Sequence, residues 1–268
     1  MNNNSAAAAK QAKITTALNF GTVEAYKAIR TNLNFAIPKK GCRKVLFTSA
    51  LSGEGKTTTS VNTAITIAQT GASTLIIDCD LRKSRIHRMF GQVNQIGVSN
   101  ILSGMSTIEE AIKKTNKANL SMITAGTIPP NPAELIGSPA MEELIAELES
   151  RFDYIILDSP PINVVADALS LSKLVDGVVF VVKYKASTHP AANDALKALE
   201  FAGATVVGAV MNGVEAVDSY SKNKYKYRYR YRYYKYSSSS YNYNYNYNYS
   251  DNEANHEESI QKRTQTLV

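Results

Sequence analysis

Short apolar runs recur along the chain at intervals that leave room for a helix between most of them. Within each run nearly every position is apolar: Val45–Thr48, Thr74–Ile77, Leu120–Thr124, Tyr154–Leu157, Gly177–Val182 and Thr205–Met211. Uninterrupted runs of this kind are typical of strands covered on both faces by other elements. We therefore predict that each run forms a buried strand.

The segments between these runs have the mixed polar and apolar spacing of amphipathic helices. We predict helices at Thr57–Thr70, Thr107–Lys114, Pro139–Glu149, Ala166–Leu174 and Pro190–Phe201, with an earlier one at about 23–37. Two of these helices begin at or next to a proline, a residue that the first helical turn tolerates. Alternating strands and helices predict an α/β fold with a mostly parallel central sheet and helices on both faces.

The net charge of +7 is unevenly distributed over the 268 residues. From Ser219 onward nine Lys or Arg residues face four Asp or Glu residues, so this segment carries +5 and the rest carries +2. Its composition predicts a disordered tail at 218–268, and we expect a disordered N-terminus at 1–19 and one folded domain at 20–217. Because the body is nearly neutral, we expect no nucleic-acid-binding face.

Three features of the sequence predict a cytoplasmic protein. The two cysteines, Cys42 and Cys79, lack the spacing of a disulfide framework and indicate a reduced compartment. No apolar run reaches 18 residues, and the first residues lack the cationic and apolar parts of a signal peptide. Activity at a membrane would then require a partner that recruits the protein to the inner face.

The segment Ala50–Thr57 has the spacing of a phosphate-binding loop, with alanine where the first glycine is usual. It lies between a predicted strand and a predicted helix, which is the context that such a loop requires. Lys56 is expected to reach the β- and γ-phosphates, and Thr57 offers a hydroxyl to Mg²⁺. A glycine-rich turn with a chance lysine is the alternative. The predicted nucleotide-binding residues here are Ser52, Gly53, Glu54, Gly55, Lys56, Thr57 and Thr58.

Acidic residues follow two other predicted strands. Asp78 and Asp80 end one strand, and Asp158 ends another. Ligands of open α/β sheets gather at the carboxyl ends of strands, so we expect the three carboxylates to converge near the phosphate loop. Such a cluster is costly without a cation, which implies Mg²⁺. Each aspartate taken separately would be read as a turn or cap residue.

The three motifs together resemble those of the bacterial tyrosine kinases of capsule and exopolysaccharide systems, a branch of the Min/Par-type P-loop ATPases. They are the phosphate loop (Walker A), the sequence Asp-x-Asp-x-Arg at 78–82 (Walker A′) and Asp-x-x-Pro at 158–161 (Walker B). Further similarity lies at 24–32, at His87 and Phe90, at 128–135 and in the tyrosine-rich end. Ser52 and Ser84 replace prolines that are common in the family, and Lys27 replaces an arginine.

The resemblance implies roles for individual residues, with ATP and Mg²⁺ as cofactors. Lys56 and Thr57 would hold phosphate and metal, and Asp80 and Asp158 would complete the metal's environment. Asp78 would accept or orient the proton of an incoming tyrosine hydroxyl, whose ordinary pKa is about 10. Asn212, at the end of the last strand, resembles an adenine-contacting asparagine, although a turn residue is the alternative.

The resemblance also implies partners. Glu24, Lys27 and Arg30 recur every three residues on one helix face, where ordinary pairing within the helix is the alternative. In the family this motif bridges neighbours in a ring, so we expect a homo-oligomer. A separate membrane-bound activator that modulates polysaccharide chain length and a tyrosine phosphatase are further expected partners.

A basic run follows the Walker A′ motif, and the sequence leaves its role open. It is either a solvated helix face or a surface that helps to hold phosphates or a neighbouring subunit. The run consists of Arg82, Lys83, Arg85 and Arg88.

Thirteen of the sixteen tyrosines lie in the last fifty residues. Each phosphate adds about −1.5 to −2 charges, so phosphorylation of this segment would reverse its charge. Stacking on single-stranded nucleic acid, binding to an anionic membrane and β-aggregation are alternatives for such a composition. The predicted acceptors are Tyr225, Tyr227, Tyr229, Tyr231, Tyr233, Tyr234, Tyr236, Tyr241, Tyr243, Tyr245, Tyr247 and Tyr249.

The sequence thus predicts an ATP- and Mg²⁺-dependent protein-tyrosine autokinase that phosphorylates its own tail between subunits and regulates polysaccharide synthesis or export. A Min/Par-type positioning ATPase is the alternative. Those ATPases usually have a second lysine where this chain has Leu51, and they lack tyrosine-rich tails.

Overall fold

The computed structural model describes residues 20–214. The predicted N-terminal segment 1–19, the predicted tail 218–268 and all predicted acceptor tyrosines lie outside the described residues. The strands are β1 (Arg43–Ser49), β2 (Thr74–Asp78), β3 (Ile112–Lys114), β4 (Leu120–Ile123), β5 (Tyr154–Asp158), β6 (Gly177–Lys183) and β7 (Val206–Asn212). The helices are α1 (Phe20–Ala36), α2 (Lys56–Ala68), α3 (Ile86–Met89), α4 (Val98–Leu102), α5 (Ile108–Ala111), α6 (Pro132–Ile136), α7 (Pro139–Glu149), α8 (Asp167–Ser172) and α9 (His189–Phe201).

The strands form one sheet in the order β3-β4-β2-β5-β1-β6-β7. All neighbouring pairs are parallel except β3 with β4, which is antiparallel. The prediction of an α/β fold with a mostly parallel sheet is confirmed. The register pairs Asp78 with Asp158, so the Walker A′ and Walker B strands end side by side.

Apolar side chains cover both faces of the sheet, as predicted. On one face, Leu46, Ile77 and Phe180 pack with residues of the helices from α4 to α9. On the other, Val45 and Phe47 pack with Leu33 of α1 and with residues of α2. Because strand side chains alternate between faces, an apolar residue at every position serves both layers.

The predicted helix Thr107–Lys114 is wrong in its second half. Helix α5 ends at Ala111, Ile112 is extended, and Ile112–Lys114 forms the edge strand β3. Lys113 favours the strand over the helix, because in the strand its ammonium donates to the carbonyl oxygens of Val93 and Ile96. Tertiary contacts and pairing with β4 therefore override the local helical pattern. The short helices α3, α4 and α6 were not predicted.

The prediction that every strand is covered on both faces is wrong for β7. This strand lies at the edge of the sheet and is largely exposed, including Val206 and Met211. Its continuous apolar pattern gives no indication of this, since an edge strand and a central strand of a parallel sheet can have the same composition.

Both cysteines are buried and free, which agrees with the absence of a predicted disulfide framework. Burial raises the pKa of the Cys42 thiol to about 11. Within residues 20–214, no helix has the length and apolar character needed to cross a membrane.

Candidate active site

The phosphate loop connects β1 to α2 and is held by its own buried glutamate. Gly53 and Gly55 have positive φ angles of 85° and 95°, so the loop turns at these two positions. Glu54 is 4 % exposed, and its Oε2 accepts the N–H of Leu51 at 2.8 Å. Its Oε1 accepts a hydrogen bond from the Ser187 hydroxyl. The loop is therefore fixed to the segment between β6 and α9.

Lys56 is the first residue of α2 and points toward the Walker A′ strand. Its ammonium lies 3.9 Å from Oδ2 of Asp80, and the two side chains are each 10 % exposed. Oδ1 of Asp80 accepts the N–H of Lys83 at 2.9 Å, which fixes the carboxylate. The structure thus brings together the predicted phosphate-binding lysine and a predicted metal-binding aspartate.

Asp78 is fully buried, and its carboxylate accepts three backbone N–H groups. These come from Asp80 at 3.3 Å and from Arg85 and Ile86 at 3.1 Å each. Burial, followed by the negative charge of Asp158, raises the pKa of Asp78 to about 8 against the opposing effect of these N–H groups. The bonds turn the segment after β2 back over the strand end.

Asp158 ends the neighbouring strand and faces the phosphate loop. Its Oδ1 accepts the hydroxyl of Ser60 at 3.2 Å, and Ser60 itself lies one turn into α2. Burial raises the pKa of Asp158 to about 6, although the ammonium of Lys56 and the hydroxyl of Thr57 oppose this change. Three carboxylates thus converge at one edge of the sheet, as the strand ends predicted.

The donor set fits a magnesium ion that is held mainly by nucleotide and water. Within the described part of the chain, no three His, Cys, Asp or Glu side chains form a ready-made metal site. Mg²⁺ usually binds through one or two carboxylates together with phosphates and retained waters, so such a site is not required. The Thr57 hydroxyl, Asp80 and Asp158 supply oxygen donors beside Lys56. Burial, together with repulsion between neighbouring carboxylates, raises the pKa of both Asp78 and Asp158, so a cation beside them would be favourable.

Asn212 lies at the site, but its amide is directed at the loop. Nδ2 donates to the carbonyl oxygen of Glu54 at 3.0 Å. The adenine contact that the sequence suggests for Asn212 stays a prediction.

Three site residues were not singled out from the sequence. Ser60 binds Asp158, Ser187 binds Glu54, and Asp167 lies 3.4 Å from Nε of Arg82. Ser60 stands four residues after Lys56 in α2, a spacing that would have placed it on the same helix face. Ser187 and Asp167 come close only through tertiary folding, and no local pattern identifies them.

The predicted interface residues of α1 make contacts within the chain. Lys27 pairs with Glu24 at 2.7 Å, with both side chains 45 % exposed. Arg30 donates through Nη1 to the carbonyl oxygen of Thr66 at the end of α2, at 2.9 Å. Their role between subunits stays a prediction.

Comparison with known proteins identifies the family. The model of the AAA domain matches residues 43–199. The tyrosine-protein kinase YwqD of Bacillus subtilis is 42 % identical over 190 residues, which are 71 % of this chain and 80 % of that protein. The putative tyrosine-protein kinase CapB of Staphylococcus aureus is 39 % identical over 189 residues, covering 70 % and 83 %. The chain belongs to the bacterial tyrosine kinases. The prediction that it is a protein-tyrosine kinase is thereby confirmed.

Solved structures agree with this family and its fold. The kinase domain of the Escherichia coli tyrosine kinase ETK superimposes with a TM-score of 0.70 at 31 % identity, covering 83 % of this chain and 80 % of that one. The septum site-determining protein MinD of Pyrococcus horikoshii, complexed with Mg-ADP, gives a TM-score of 0.55 at 22 % identity, covering 63 % and 70 %. The second likeness shows only that the kinase has the P-loop nucleotide-binding fold of the Min-type ATPases.

Proposed function

We propose that this kinase transfers the γ-phosphoryl group of ATP to tyrosines of its own C-terminal tail. The convergence of Lys56, Asp78, Asp80 and Asp158 at one edge of the sheet supports this proposal. Phosphoryl transfer needs positioning and charge stabilisation more than covalent chemistry. Lys56 and the three carboxylates, placed next to the phosphate loop, are suited to positioning the phosphates and to stabilising their charge.

Each residue has a defined task in this proposal. The loop N–H groups and Lys56 bind the phosphates, while Ser52 to Thr58 enclose them. Thr57, Asp80 and Asp158 would hold Mg²⁺, and the ion would neutralise the charge that develops on the phosphate oxygens. Glu54 keeps the loop in place through Leu51 and Ser187.

Asp78 receives the proton of the acceptor tyrosine. The phenol oxygen bonds to the γ-phosphorus, the bond from that phosphorus to the bridging oxygen breaks, and ADP leaves with this oxygen. The phenol proton passes to the Asp78 carboxylate. The backbone N–H groups of Asp80, Arg85 and Ile86 hold this carboxylate in a fixed orientation for the task.

The tail supplies the acceptors. Its thirteen tyrosines are interleaved with basic residues or asparagines. We place the transfer between subunits of a homo-oligomeric ring, in which Glu24, Lys27 and Arg30 contribute to the contacts. Phosphorylation of the basic part reverses its charge and loosens the ring, and a tyrosine phosphatase resets it.

The biological setting that we propose is the control of capsular or exopolysaccharide synthesis or export. A membrane-bound partner recruits the kinase to the inner face of the membrane and activates it.

The test begins with incubation of the full chain with Mg²⁺ and ATP, with and without a cytosolic segment of the proposed membrane-bound partner, followed by mass spectrometry of the tail. Phosphotyrosine in either condition supports the proposal. ATP hydrolysis without phosphotyrosine in both conditions would contradict the proposed phosphorylation of the tail.

Transfer between subunits is tested with two complementary variants. A Lys56→Met chain retains the tail but lacks the phosphate-binding lysine, and an active chain truncated after Asp218 lacks the tail. When the two are mixed, phosphate should appear on the Lys56→Met chain. If that chain stays unmodified while intact wild-type chain is phosphorylated, transfer between subunits is wrong.

A further inference from the structure

A basic rim borders the proposed active site. It consists of the exposed side chains of Arg82, Lys83, Arg85 and Arg88. The backbone of this segment is part of the site, because the N–H of Lys83 binds Asp80 and the N–H of Arg85 binds Asp78. The cationic side chains are therefore attached to the backbone that surrounds the two carboxylates.

Most of the charge of the basic rim is uncompensated. Arg82 contacts Asp167, but among the described residues Lys83, Arg85 and Arg88 form no ion pair within 4 Å. The acidic groups closest along the chain, Asp78 and Asp80, are buried and accept backbone N–H groups of this segment. An approaching segment thus meets three cations that have no acidic partner within residues 20–214.

The tail contains three segments of different charge. Residues 222–235 hold seven Lys or Arg and no acidic residue, whereas Tyr241–Tyr249 is an uncharged Tyr-Asn repeat. Directly after it, residues 251–258 hold four carboxylates and no Lys or Arg: Asp251, Glu253, Glu257 and Glu258. Only this last segment is opposite in charge to the basic rim.

We propose that the basic rim binds the acidic segment 251–258 of a second copy of the chain, and that this docking selects Tyr241–Tyr249 as the first acceptors. The selection of acceptors rests on the proposed function, whereas the docking itself does not require catalysis. The basic segment 222–235 is repelled by the same rim and is modified later.

The spacing along the tail suits this arrangement. Tyr249 precedes Asp251 by two residues and Tyr245 precedes it by six. At about 3.3–3.6 Å per extended residue, these tyrosines lie up to roughly 7 and 20 Å from the docked aspartate. The rim begins two residues after Asp80, so a docked tail can bring these tyrosines to the carboxylates.

The docking is tested by peptide binding. The receptor is the full chain with Asp251→Asn, Glu253→Gln, Glu257→Gln and Glu258→Gln, so that its own acidic segment does not compete. The probe is a fluorescent peptide of residues 245–260, and anisotropy reports its affinity. We expect about tenfold weaker binding when Arg85→Glu and Arg88→Glu are added, and a similar loss when the peptide carries the four neutral residues instead.

A matched control reverses the same amount of charge elsewhere. Lys114 and Lys117 lie near the amino end of β4, whereas the basic rim lies at the carboxyl ends of the strands. Lys114→Glu with Lys117→Glu should leave peptide affinity within about twofold of the parent. Equal binding of the acidic and neutralised peptides, or equal losses in the two charge-reversed receptors, would overturn the docking. Because the neutralised peptide leaves the protein unchanged, this comparison does not depend on the folding of a variant.

The order of phosphorylation tests the selection of acceptors. In the wild-type chain, early phosphates should lie at Tyr241–Tyr249. Neutralising the acidic segment, or introducing Arg85→Glu with Arg88→Glu, should change the ratio of early phosphates by about tenfold in favour of 225–236. Early phosphates on the basic segment of the wild-type chain would show that the selection is wrong. Peptide binding without any phosphotyrosine in the tail would refute the proposed phosphorylation of the tail while the docking stands.

Discussion

The side-chain amide of Asn212 packs against Gly55 so closely that a Cβ atom on Gly55 would lie 1.8 Å from Nδ2 of Asn212. The same nitrogen donates to the carbonyl oxygen of Glu54. The last residue of β7 therefore packs against the phosphate loop and stabilises it. Loop geometry depends on a residue that is 157 positions away in the sequence.

Gly55→Ala is predicted to impair nucleotide binding more than Gly53→Ala. Both positions have positive φ, so both alanines introduce backbone strain. Only the Gly55 variant also collides with Asn212, because a Cβ on Gly53 meets nothing within 4 Å. Titration with a fluorescent ATP analogue should show at least about tenfold weaker binding for Gly55→Ala than for Gly53→Ala, roughly 1.4 kcal/mol.

A double variant separates the collision from strain. Relative to Asn212→Ala, the further addition of Gly55→Ala should cost less affinity than Gly55→Ala costs in the wild-type chain. Equal costs would mean that contact with Asn212 is irrelevant.

Glu54 is predicted to set ATP affinity through its two hydrogen bonds. Glu54→Ala removes both the bond to Leu51 and the bond to Ser187, whereas Ser187→Ala removes only the second. We expect affinity to fall roughly tenfold in Glu54→Ala and about two- to threefold in Ser187→Ala, consistent with about 0.5–1.5 kcal/mol for each bond. Isothermal titration with ATP and Mg²⁺ gives the comparison. Identical affinities for the two variants would contradict this account.

The predictable features of this site are those that local sequence determines. The strand ends that deliver Asp78 and Asp158 follow continuous apolar runs, and the loop before Lys56 has a recognisable spacing. Parallel pairing then places these residues at one edge, because all strands but β3 run in the same direction. Fold and central site therefore follow from short-range patterns together with a few topological rules.

The missed features arise from contacts between distant segments. Ser187 reaches Glu54 across 133 positions, and Asp167 reaches Arg82 across 85. Strand β3 forms where a helix was predicted, because pairing with β4 and the contacts of Lys113 outweigh local propensity. A single sequence contains no periodic signal for such pairs.

The contact between Arg82 and Asp167 predicts unequal effects when each partner is replaced. The Asp167 side chain is fully buried, whereas that of Arg82 is 39 % exposed and reaches solvent. Arg82→Met leaves the buried carboxylate without this partner, so we expect a loss of about 1–3 kcal/mol of unfolding free energy. Asp167→Asn removes the buried charge and should cost less than about 1 kcal/mol.

Urea denaturation of both variants measures this difference. Adding Asp167→Asn to Arg82→Met should recover part of the lost stability, since no buried charge then remains. An Arg82→Met variant that is as stable as Asp167→Asn would show that the buried carboxylate does not rely on Arg82.

Glu149 predicts a stability difference that depends on pH. Its two carboxylate oxygens each accept a hydrogen bond at 2.8 Å, one from the ammonium of Lys39 and one from that of Lys44. Lys44 lies at the amino end of β1, whereas the proposed active site lies at the carboxyl ends of the strands. The hydrogen bond from Lys39, followed by that from Lys44, lowers the pKa of Glu149 below its ordinary value of about 4.3. A lowered folded-state pKa means that Glu149 stabilises the fold above its unfolded pKa and loses this effect as pH falls through the folded value. Since the side chain is 34 % exposed, solvent screening limits the effect to about 1 kcal/mol.

Glu149→Gln should therefore reduce the unfolding free energy at pH 7, and this deficit should shrink as the pH is lowered toward about 3, because protonation of Glu149 removes the charge that the two ammonium groups bind. Glu143→Gln, on the exposed face of the same helix, is the matched control and should have no effect at either pH. Urea denaturation of the three chains across this pH range provides the measurement. A Glu149→Gln deficit that is unchanged at pH 3 would mean that the glutamate acts through packing and not through its charge.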